Sequence, residues 1–128
     1  MQSLAGTTWK LIEASAFDEE GHELALPLGS HPMGFAMFEA ERVIVAVSDG
    51  RLSLPSDVQS RAFVAYTGSY HFDGSEIVTT VDGASSPEVP AQQIRQIRFE
   101  SPTRMVVTPR NAVLGRTTGL KFVWGRIA

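Results

Sequence analysis

A carboxylate stands among apolar residues in "LAGTTWKLIEASAFDEEGHELALPL", and this Glu13 is the first side chain along the chain with chemistry to offer. Turned inward and partly desolvated, a glutamate has its pKa raised toward the range useful for proton transfer, which makes Glu13 a candidate general acid or base. Turned outward, it is a solvated charge. Arg95 in "QQIRQIRFE" raises the matching question, because an inward guanidinium needs a partner and Glu13 is the natural one. Such a pair keeps the carboxylate ionised, which makes it a poor base but a good anchor for a ligand carbonyl or hydroxyl. These two roles exclude each other, and the residues alone do not choose between them. Tyr66 and Tyr70 in "AYTGSYHFDG" offer phenols, mostly apolar with one hydrogen-bonding tip.

Other chemistries are disfavoured. His22, His31 and His71 fall on separate elements with no HxH or HExxH spacing, so no metal site is expected. His31, in "GSHPMG", sits on a loop where an imidazole acts as acid or base near neutral pH. Ser69 lacks a Gly-x-Ser-x-Gly elbow, and Gly115 and Gly119 make no phosphate-cradling loop ahead of a helix. Cysteine is absent, which removes thiolate nucleophiles and disulfides together. No cofactor is expected.

What must position these groups is a chain of 128 residues, the size of one domain around one core. With 43% hydrophobic and 20% charged residues and a formal net charge of −3, it has no basic surplus to hold phosphate backbones, and nucleic acid is an unexpected partner. No apolar run approaches the ~20 residues of a membrane span. Residues 1–10 lack the basic start and apolar core of a secretion signal, so a cytoplasmic protein that does not enter a membrane is expected.

Short runs rich in Val, Ile, Thr, Phe and Tyr, each closed by Gly, Pro, Asp or Ser, predict strands over 7–16, 21–26, 34–39, 42–48, 63–72, 76–81, 92–100, 104–108 and 119–127. The links "FDEEGHE", "EAER", "FDGSE" and "ESPTR" are hairpin turns, so successive strands pair antiparallel as a meander. Only "DGRLSLPSDVQSRAFVA" interrupts it at length, and Ser56-Asp57 after Pro55 caps a short helix predicted over 57–62. The class is all-β, as a sandwich or a barrel.

Laid out in this order, "LAGTTWKL", "LPLGSHPMGFAMF", "AYTGSYHFDG", "QQIRQIRFE" and the closing "KFVWGR" resemble the bacterial lipocalin-like domain family, small single-domain relatives of the lipocalins. The resemblance covers nearly the whole chain. It implies a single antiparallel up-and-down barrel of eight or nine strands, closed around an apolar cavity wide enough for one small ligand, to which the residues themselves add the one short helix. Two departures stand out. The family usually has Gly-Thr-Trp at the first strand, where this chain has Gly6-Thr7-Thr8-Trp9, and often a histidine near "IVTTVDG", where this chain has Thr79 and Thr80.

In such barrels the first-strand Trp points inward at the closed end, and alternation then carries Trp9, Leu11, Glu13 and Ser15 to the inside. The opposite phase contains Lys10, which is cheaper to leave in solvent. On the fifth strand the aromatic phase Val64-Tyr66-Gly68-Tyr70-Phe72 is placed inward and His71 outward. On the seventh, Gln93-Arg95-Ile97-Phe99 is placed inward because it ends in two apolar residues. Met33, Phe35, Met37 and Phe38 occupy both faces of one strand near the mouth, the pattern of a cavity wall with a covered outer face, or of a homodimer contact. Trp124 and Arg126 are expected to close the floor beside Trp9, with the guanidinium over an indole.

Two functions compete. The first is a binding protein for a small hydrophobic molecule carrying one or two polar groups, such as a terpenoid, polyketide fragment or aromatic, held by Trp9, Leu11, Tyr70, Gln93, Met37, Phe38 and His31. The second is a cofactor-free isomerase, cyclase or lyase, with Glu13 as general acid or base and Tyr66 or Arg95 stabilising an enolate or alkoxide.

Overall fold

The computed structural model describes residues 2–26, 28–110 and 119–128. Alternating sequence becomes extended backbone as expected, in nine strands among these residues: β1 (Thr8–Phe17), β2 (Glu23–Leu24), β3 (Pro32–Phe38), β4 (Arg42–Asp49), β5 (Phe63–Phe72), β6 (Glu76–Ala84), β7 (Gln92–Ser101), β8 (Arg104–Pro109) and β9 (Leu120–Arg126). Turn chemistry joins them locally. Asp18 Oδ1 accepts the backbone N–H groups of Glu20 and His22, with Gly21 at φ +85° completing the turn. Asp73 Oδ1 does the same for Ser75 and Glu76, and these backbone donors hold its carboxyl below the usual carboxylate range.

Every neighbour in the sheet is antiparallel, in the order β2-β1-β3-β4-β5-β6-β7-β8-β9, and β1 pairs back onto β9. The result is a closed eight-strand barrel, with the two-residue β2 added at the end of β1. Closure removes the unpaired edges that an open sheet of this length would expose.

One end of the barrel is plugged. Trp9 is 0% exposed, and its indole Nε1 donates to Thr7 Oγ1 at 2.7 Å, while that hydroxyl donates to the Leu4 carbonyl at 2.5 Å. Thr7, buried between Gly6 and the first strand, supplies the partner that a buried indole N–H requires. Phe99 meets Trp9 at 6.1 Å between ring centroids and Phe72 at 6.2 Å; Phe38 and Tyr70 stack edge-on at 5.3 Å beside them.

Three expectations are corrected. No helix forms over 57–62, which runs as turns and bends. Six residues are too few to nucleate a helix without tertiary help, and here the side chains favour another arrangement. Arg61 Nη1 donates to the carbonyls of Asp49 and Arg51, and Asp49 N donates to Ala62 O, pinning the end of the segment to the end of β4. Arg126 does not cover an indole: it is exposed and donates through Nε to Ala128 O, while Trp124 is buried. The third concerns β1, where Leu11 pairs with Trp124 but Glu13 with Val123, leaving Ile12 as the extra residue of a β-bulge.

Asp49 anchors the long connection. It is 1% exposed and accepts hydrogen bonds from Arg51 N, Nε and Nη2. The Arg51 side chain, first among these partners, holds the Asp49 carboxyl below the usual carboxylate range. A pKa lowered by folding stabilises the native state above the unfolded carboxyl's pKa, and that contribution disappears as pH falls through the folded value. Asp49→Asn is therefore expected to lower Tm at pH 7 by on the order of 5 °C, with the gap to wild type closing below about pH 4. Paired melting curves at pH 7 and pH 3 check this, and a gap independent of pH would remove the ionic explanation.

Candidate functional cavity

Above the aromatic plug the barrel encloses a cavity of about 620 Å³. Its walls are mostly branched aliphatic, with Val43, Val45 and Val47 on β4 and Ile77, Ile97 and Val107 on facing strands. Alternation explains this: inward positions of an eight-strand barrel face one another across the lumen, and valine and isoleucine occupy them without reaching the centre.

Polar groups in the wall are few and gathered. Along β7 the inward residues run Gln93, Arg95, Ile97, Phe99, from the mouth down to the plug, so the two polar ones lie on the mouth side. Thr79 on β6 is the register partner of Gln93, and Tyr66 on β5 also faces the lumen. Ser86, Glu88, Val89 and Pro90, from the connection between β6 and β7, line the opening.

Each polar group has a definable state. Burial pushes the Tyr66 phenol above its ordinary pKa, an effect partly opposed by the charge of Arg95, so Tyr66 stays protonated and can donate. Desolvation lowers the Arg95 guanidinium, with Tyr66 acting in the opposite sense; an arginine so placed still keeps its charge. Arg95 Nη1 also donates to Ile94 O at 3.1 Å. Gln93, 2% exposed, donates through Nε2 to Pro90 O at 3.3 Å, while its Oε1 has no hydrogen-bond partner among the described residues. The Ser86 hydroxyl holds the Glu88 carboxyl below its usual range at the rim.

The residues named from the sequence divide. Tyr66, Gln93, Arg95 and Phe38 line the cavity. Trp9 and Leu11 are inward and buried but sit in the packed core rather than on the cavity surface. Tyr70 is likewise inward, but its hydroxyl donates to Glu39 O at 2.6 Å and its ring covers Phe38. Met37 points outward and is 52% exposed, because it alternates with Phe38 on β3. His31 is exposed and contacts the Ser30 hydroxyl. His22 is held at the surface by Asp18, and His71 is exposed. Among the described residues no three carboxylates or imidazoles group as metal ligands. Gly115 lies outside the described residues.

Glu13 is the main correction. The bulge at Ile12 reverses the alternation of β1, so Ala14 and Ala16 turn toward the core while Glu13 is exposed and accepts a hydrogen bond from Ser15 Oγ at 3.0 Å. It neither lines the cavity nor forms an ion pair with Arg95. The signal was present in "LIEASA": keeping one phase buries a glutamate and exposes two alanines, whereas a single inserted residue avoids both. Sequence reasoning also missed Ser86 and Glu88, since periodicity does not orient loop side chains. Thr79 was legible, two residues from Ile77 on one face of β6.

A family model described as a lipocalin-like domain matches residues 6–124, from the turn before β1 to Trp124 on β9. Comparison with curated proteins and with solved structures returned no match.

Proposed function

Because the chain belongs to the lipocalin-like domain family, we propose that it binds one small hydrophobic molecule carrying one or two polar groups inside the barrel, with Tyr66, Gln93 and Arg95 holding the polar end. The observation that carries this reading is the cavity of about 620 Å³, apolar over most of its wall and polar in one sector. Burying an apolar body there supplies affinity at roughly 25 cal/mol per Å², and the three polar side chains select its orientation. Terpenoids, polyketide fragments and substituted aromatics have the size and the mixed character required. An isomerase, cyclase or lyase built on Glu13 would need that carboxylate at the substrate, and it lies outside the barrel.

Saturation-transfer NMR with pooled terpenoid, lactone, epoxide and phenolic compounds, recorded at once and after a day, tests the proposal. Saturation transfer to compounds that stay chemically unchanged is expected. New product signals would replace the carrier reading with an enzymatic one, and no transfer to any compound would remove the cavity from consideration. Glu13→Gln is expected to leave the affinity of every hit within twofold; a loss of tenfold or more would return the carboxylate to the site.

A further inference from the structure

The amide of Gln93 carries more information than a generic polar contact. Its orientation is set by chemistry: the Pro90 carbonyl can only accept, so the amide nitrogen must face it. Oε1 then faces away from that bond, buried and without a partner among the described residues, although Thr79 is its cross-strand neighbour. A buried acceptor left empty costs free energy, so the position calls for an O–H or N–H donor arriving from the cavity. Two residues along the same face of β7, roughly 6–7 Å away at a strand's rise, Arg95 presents a guanidinium to the same lumen. Tyr66 stands within electrostatic reach of that cation and makes no hydrogen bond to another described residue. The wall thus offers an acceptor at one point and donors at a neighbouring one.

Resting on the binding reading above, we infer that the ligand class is an apolar molecule bearing a carboxylate with a hydroxyl two or three bonds away, the hydroxyl donating to Gln93 Oε1 and the carboxylate accepting from Arg95 and Tyr66. A plain hydrocarbon alcohol satisfies only one of the two points. A simple fatty or aromatic acid satisfies the cation and the phenol but leaves the amide oxygen empty.

Isothermal titration of the full chain with decanol, decanoate and 3-hydroxydecanoate, with N-phenyl-1-naphthylamine fluorescence as an independent report on the cavity, tests the inference. Wild type is expected to prefer 3-hydroxydecanoate over decanoate by roughly tenfold, the usual value of filling one buried acceptor. Gln93→Leu should abolish that preference, so that 3-hydroxydecanoate and decanoate bind alike. Arg95→Met should abolish the preference for decanoate over decanol. Equal binding of decanoate and 3-hydroxydecanoate by wild type would overturn the inference, since a trapped water would then serve the amide, and the binding reading would stand. Binding of the dye with none of the three compounds would overturn it equally and leave the binding reading in place. If neither dye nor compounds bind, both readings fall.

Discussion

Trp9→Ala is expected to lower the melting temperature by about 10–20 °C, the largest loss available from a single truncation in this barrel. The side chain is 0% exposed, caps one end of the lumen and touches Phe99, and its N–H is the donor to Thr7. Removing a buried tryptophan costs about 3–5 kcal/mol through lost transfer energy and the cavity left behind. Here the hole would open toward a space that is already empty, so neighbours have little reason to collapse into it. Trp9→Phe separates the contributions in part: it keeps one aromatic ring and loses the hydrogen bond and the pyrrole's volume, for about 1–3 kcal/mol. Differential scanning calorimetry of the two variants checks both numbers, and a loss below about 4 °C for Trp9→Ala would mean that the plug repacks.

The second large effect is expected at Gly68. It is buried on the inward phase of β5, where the register with β6 shifts: Thr67 pairs with Gly83 but Gly68 with Val81. A Cβ placed there would lie 2.2 Å from the Thr80 carbonyl oxygen and 2.9 Å from its carbon. The obstacle is backbone rather than the far end of a flexible side chain, so relief requires pulling two paired strands apart. Gly68→Ala should cost about 3 kcal/mol, and Gly68→Val should fail to give a folded barrel. Urea unfolding of the alanine variant reads the first figure, with ligand affinity as a companion, because β5 also carries Tyr66. A midpoint equal to wild type would show that the bulge opens freely.

Much of this was legible beforehand, for reasons that can be named. The strands and hairpins follow from alternation and turn residues, and both survive in the structure because each side chain has only two faces to choose between. The phases of β5 and β7, and with them Tyr66, Gln93 and Arg95, follow from where the aromatic and aliphatic residues fall. Glu13 did not, because a single extra residue in β1 cancels any phase carried across it: Lys10 fixes the phase up to Leu11 and no further. The predicted helix was lost to Arg61, whose side chain takes two carbonyls from the end of β4 and its turn. That contact spans ten or more residues, and no local pattern announces it. Ser86 and Glu88 reach the cavity from a connection, where direction is set by tertiary packing.

The pairing of β1 with β9 has a kinetic meaning as well. It joins two of the strands most distant in the chain, so the ring can close only once β9 has left the ribosome. Closing a loop of that length costs about 4 kcal/mol of chain entropy before any contact repays it. Folding dominated by such distant pairings runs on the millisecond-to-second scale. During that interval β1 waits with one long edge unpaired, and the outward bulge that puts a charged glutamate on it makes that edge a poor template for another nascent chain.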